Sequence, residues 1–91
     1  MTLSTIPDQG YSTRAKIALL RRANKYDGSP NEPEEVQVVR LDHPKGPRDY
    51  VVLANINGIL GVFRIQYLTD GTNRLKWIDR VPQEIRDAFG G

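Results

Sequence analysis

The sequence has no cysteine and a single histidine. Without thiols, neither disulfides nor thiolate–metal bonds can stiffen the chain, and one hydrophobic core must hold it together. One imidazole is also far short of the four ligands of a structural zinc site. Long apolar runs are missing. The longest, residues 51–54 and 59–63, fall far below the ~20 residues needed to span a bilayer. Residues 1–9 have no basic cluster ahead of an apolar stretch, so they do not read as a secretory signal, and the expected compartment is the cytoplasm. There is no Gly-x-Ser-x-Gly elbow to present a nucleophile. Neither Gly-x-x-x-x-Gly-Lys nor Gly-x-Gly-x-x-Gly occurs to cradle a phosphate.

What is present is modest in size and charge. Ninety-one residues suffice for one domain, and a chain this short buries only roughly 60–65% of the surface its unfolded form exposes. The formal net charge is +2. Residues 1–30 carry five basic side chains against two acidic ones, net +3, and the remainder carries eight against nine, net −1. The excess therefore belongs to the first predicted helix. Residues 1–11 lack periodicity, contain Pro7 and Gly10, and read as a flexible arm ahead of a single domain over 12–91. Ser12 or Thr13 can act as an N-cap, and residues 14–26 follow helical periodicity. Ala15, Leu19, Leu20, Ala23 and Tyr26 are expected on one side, with Arg14, Arg21 and Lys25 on the other and Arg22 beside them. Asp27-Gly28-Ser29-Pro30 stops the helix.

Valine-rich residues 35–41 predict a strand. Two prolines and a glycine make residues 42–47 a loop. Residues 48–56 and 59–68 are β-rich runs around Asn57-Gly58, a pair suited to a type I′ hairpin turn. A turn at that point places Ile56 opposite Ile59, Ala54 opposite Gly61, Val52 opposite Phe63 and Tyr50 opposite Ile65. Those residues, with Tyr67, form the expected core face. Val51, Leu53, Leu60 and Val62 then share the other face as an apolar patch, a candidate interface for a partner or a second copy of this chain. A turn at residues 69–73, a strand at 74–79 and a short helix after Pro82 complete the chain, with Gly90-Gly91 as its C-cap. The fold class is α+β: an N-terminal helix, a largely antiparallel four-stranded meander sheet, and a short C-terminal helix, both helices on one face.

The candidate chemistry is sparse. Asp42-His43 is the only acid–imidazole neighbour pair, and adjacent side chains on an extended chain point apart. Glu32, Glu34 and Glu35, and the turn with Asp70 and Asn73, lack the ligand series of a calcium loop. No cofactor, metal, membrane or catalytic role is expected. The expected function is that of a small non-catalytic protein-binding or regulatory protein. The alternative is a nucleic-acid-binding accessory protein using the basic stripe Arg14, Arg21, Arg22 and Lys25.

Overall fold

Val51, Val52 and Leu53 follow one another in the chain, and all three are fully buried. Successive side chains of a strand point to opposite faces, so burying three in a row requires cover on both sides of the sheet. The computed structural model describes residues 2–23, 35–55 and 58–89 and supplies that cover. Its elements are β1 (Leu3–Thr5), α1 (Tyr11–Ala23), β2 (Glu35–Leu41), β3 (Arg48–Asn55), β4 (Gly58–Tyr67), β5 (Asn73–Trp77) and α2 (Gln83–Phe89). The sheet has the order β1-β2-β3-β4-β5, with every neighbouring pair antiparallel. The α+β class and the helix–sheet–helix sequence hold, but the strands number five rather than four. The additional strand, β1, lies in the segment expected to be a flexible arm and pairs with β2 through Leu3–Leu41 and Thr5–Val39. Among the described residues, no helix is long and apolar enough to cross a membrane.

The helices lie on opposite faces, which corrects the one-sided expectation. Tyr11, Ala15 and Leu19 of α1 pack with Val38, Val51, Leu53, Phe63 and Ile65. Ile85 of α2 packs with Val39, Leu41, Tyr50, Val52 and Val62. The hairpin register explains the difference. Asn55 pairs with Gly58 and Ala54 with Ile59, but Leu53 pairs with Gly61, so β4 carries one extra residue between them. Such a bulge inverts the side-chain alternation beyond it. Phe63 therefore faces Val51, not Val52, and Tyr50 faces Arg64, not Ile65. Gly58, expected in the turn, instead opens β4 opposite Asn55, and Ala54 faces Ile59, not Gly61. Asn57 of the expected turn and Ile56 before it lie outside the described residues.

Helix α1 begins earlier than its expected Ser12 or Thr13 cap. The chain reverses through positive φ at Gln9 and Gly10, and the Asp8 carboxylate accepts the Ser12 N–H at 2.8 Å. Hydrogen bonding from Ser12, through its hydroxyl first and this N–H second, holds the Asp8 carboxyl below its ordinary pKa. Leu20, expected in the core, is 58% exposed. Five residues beyond Ala15 it stands about 140° around the helix, which points it away from the sheet. Tyr26, the stop at residues 27–30 and the Gly90-Gly91 cap lie outside the described residues.

A close approach joins β4 to β5. A Cβ at Gly61 would stand 2.5 Å from the Trp77 ring, and Trp77 meets Phe63 edge-on at 5.2 Å between centroids. Gly61→Ala should displace the indole, seen as altered tryptophan fluorescence with lowered stability. Two-sided cover has a direct test in denaturant unfolding. Leu53→Ala, under α1, and Ile85→Ala, on α2, should each cost about 2–5 kcal/mol. A core on one side only would make the Ile85 change nearly silent.

Candidate functional site

The interface expected from Val51, Leu53, Leu60 and Val62 does not form a surface patch. Val51 and Leu53 lie beneath α1 with partly buried Leu60 beside them, while Val62 lies on the opposite face with Ile85. The chain's own helices occupy both positions.

The basic stripe of α1 is divided. The Arg14 guanidinium donates to Asn73 Oδ1 at 2.5 Å and to the Asn73 carbonyl at 3.2 Å. It also lies 5.7 Å from the centre of the Tyr11 ring. Arg22 stacks over Trp77 at 4.1 Å. Both side chains are spent on fastening the helix to β5. Arg21 remains exposed, and Lys25 lies outside the described residues. Asp42 and His43 also part company. Asp42 accepts the Thr2 hydroxyl at 2.7 Å, whereas His43 Nδ1 accepts the Lys45 N–H at 3.1 Å. Of the acidic run, Glu32 and Glu34 lie outside the described residues and Glu35 opens β2. No metal-holding group of three or more His, Cys, Asp or Glu side chains occurs among the described residues.

At the end of the sheet, on the α1 side, a polar corner closes the core. Asp49 is the sole buried charged side chain among the described residues. Arg40, directly opposite on β2, donates Nε to Asp49 Oδ1 at 2.6 Å and Nη2 to Oδ2 at 3.0 Å. The Tyr67 hydroxyl donates to Oδ2 at 2.5 Å. Three donors answer one carboxylate, as a buried charge requires. The Arg40 hydrogen bond chiefly, with that of Tyr67, holds Asp49 below the ordinary carboxylate pKa, although burial acts in the other direction. Burial and the adjacent Asp49 push the Tyr67 phenol well above its usual value, so it stays a neutral donor. Asn73 Nδ2 donates to the Tyr11 hydroxyl at 3.1 Å and joins this corner to α1. Tyr67 as a residue is nonetheless 60% exposed, its buried part being the hydroxyl end bonded to Asp49.

The other face of the same end carries cations and, on β3, β4 and β5, no carboxylate. Tyr50, Arg64 and Lys76 are consecutive cross-strand partners on β3, β4 and β5. In the next row Gln66 pairs with Arg74 and accepts its Nε at 2.7 Å. Arg48 stands two residues before Tyr50 and so shares its face. These side chains escape cover because α2, at seven residues, is only about 10 Å long. The ten-residue β4 extends over about 33 Å. An open cleft of about 490 Å³ lies here, bordered by Arg48, Asp49, Arg64, Gln66, Arg74 and Tyr67. The only ion pair among the described residues is Arg40–Asp49, so no salt bridge neutralises Arg48, Arg64, Arg74 or Lys76. The period-two pairs Arg64–Gln66 and Arg74–Lys76 were the available sequence signal. A regional count of net −1 concealed them, because the acids fall on other elements or, like Asp49, on the opposite face of β3.

No family model, curated protein or solved structure matches this chain.

The Asp49 corner predicts an acid-dependent loss of stability. Its folded pKa lies below the unfolded value of about 3.9, so its contribution is complete above that pH and lost as pH falls through the lower folded value. Asp8 and Asp70 are lowered as well, so the comparison must be differential. Asp49→Asn should be less stable than the parent at neutral pH, and the gap should narrow below about pH 4. Urea midpoints measured across pH provide the check.

Proposed function

We propose that this chain is a non-catalytic accessory protein that binds the phosphate backbone of nucleic acid. The binding surface is the uncovered end of the sheet, not the first helix. One observation carries the reading: Arg48, Arg64, Arg74 and Lys76 share one face of three adjacent strands, and the one carboxylate bordering the cleft there, Asp49, is already held by Arg40 and Tyr67. Protein–protein interfaces are depleted in charged side chains at their centres, whereas nucleic-acid interfaces are strongly positive and polar. Cations with no internal carboxylate partner can release condensed counterions from phosphates, which is the main source of backbone affinity. Arg14 and Arg22, by contrast, are held against Asn73 and Trp77, which supports moving the role from the helix to the sheet.

Four phosphate contacts correspond to a slope of log affinity against log salt of about −3. Fluorescence anisotropy with a mixed-sequence oligonucleotide can measure it. Replacing Arg64, Arg74 and Lys76 together by Gln should reduce the slope to about −1 and weaken binding at low salt. Arg21→Glu with Lys25→Glu should leave the slope nearly unchanged. Two results overturn the reading: sheet-face and parent proteins with equal slopes, or loss in the sheet-face variant of a nuclease-resistant protein partner instead of nucleic acid.

A further inference from the structure

The cationic floor and the exposed aromatic ring lie on opposite faces of the sheet but at the same end of it. Gln66 and Tyr67 are consecutive residues of β4, facing Arg74 and Asn73 across the ladder. Alternation sends Gln66 and Arg74 to the α2 side and Tyr67 and Asn73 to the α1 side. Both sides meet at the rim, where Tyr67 and Leu68 border the same cleft as Arg48, Arg64 and Arg74. Tyr67 and Leu68 are also two of the few large hydrophobic side chains left exposed among the described residues, at 60% and 42%.

An exposed tyrosine would ordinarily sample several rotamers, but this one is anchored. Its hydroxyl is bonded to Asp49, which Arg40 holds in turn through both carboxylate oxygens. The ring is thus presented with its orientation already set, which lowers the entropy cost of any contact made to it. The nearby carboxylates are both engaged, Asp49 in this corner and Asp70 with Thr72 at 2.6 Å. A rigid aromatic beside unneutralised arginines is the pairing that single-stranded nucleic acid uses, with phosphates on the cations and a base on the ring. A duplex keeps its bases stacked inside and is too stiff to turn around the end of a sheet. A single strand can do both.

We infer that the bound nucleic acid is single-stranded, with its backbone on Arg48, Arg64 and Arg74, and that it rounds the end of the sheet to stack a base on Tyr67. This rests on the backbone-binding reading above and adds the strandedness and the stacking residue. The probe is an oligonucleotide of about 8 nucleotides, within the ~4–16 that small single-strand binders occupy, presented single-stranded and as a duplex of the same sequence. The parent should bind the single strand at least about 10-fold more tightly, and Tyr67→Leu should weaken it by about 5–100-fold, the worth of one stacked base. The salt slope should not change, because no cation is removed. Tyr67→Phe, which keeps the ring and releases Asp49, should stay within a few-fold of the parent. Equal affinity for the two probes, or a well-folded Tyr67→Leu that binds like the parent, overturns this inference and leaves backbone binding standing. If neither probe binds at low salt, both fall. Should Tyr67→Leu fail to fold, the preference of the parent protein between the two probes still decides the matter.

Discussion

The central strand has no side to give to water. Val51 and Leu53 on one face of β3 and Val52 on the other are fully buried, so a helix is required above the sheet and another below. The connectivity follows from that requirement. Helix α1 is inserted between the paired strands β1 and β2 and lies over one face; α2 follows β5 and lies beneath the other. Arg14 and Arg22 then look different from ordinary surface arginines. Long cationic side chains that lay their stems on apolar surface and their heads on a ring or a carbonyl can fasten a helix edge. Here they tie α1 to Asn73 and Trp77 at the two ends of β5.

The two helices differ in length, and the asymmetry decides where polar chemistry appears. Thirteen residues of α1 reach across most of their face, and what remains at the end is closed by the Asp49 corner rather than left open. Seven residues of α2 leave the matching end of the other face uncovered. A side chain there must tolerate solvent on one side and the sheet on the other. Arginine does so well, since its methylenes cover apolar neighbours such as Tyr50 while the guanidinium stays hydrated.

Much of the fold was legible in the sequence. Residues 35–41 form the expected strand, the break falls at 42–47, and the terminal helix follows Pro82, while β5 opens at Asn73, the last residue of the turn expected at 69–73, and ends at Trp77, two residues short of the expected 79. The facings in the hairpin failed for one reason: parity. The turn expected at Asn57-Gly58 fixes the facing of every residue in the hairpin only if no residue is inserted; Gly58 already belongs to β4, and the extra residue in that strand inverts the assignment. Val51, Leu53 and Val62 were thereby placed together on one face when they belong to two. Strand β1 was missed because three residues are too few to show a period. The cations of the sheet end were visible only one strand at a time. Bringing Arg48, Arg64, Arg74 and Lys76 together is the work of long-range pairing, which no local pattern encodes.

The edges of the sheet carry a further consequence. An open sheet ends in unpaired backbone groups that invite another chain to continue the ladder, the starting point of fibrous association. One boundary here is β1, only three residues long. The other, β5, alternates Arg74 and Lys76 with Leu75 and Trp77. Two such boundaries brought side by side would crowd positive charges against each other at every second residue, and like charges directly opposed are unfavourable. The side chains that leave this end of the molecule open to an anion therefore also guard it against copies of itself.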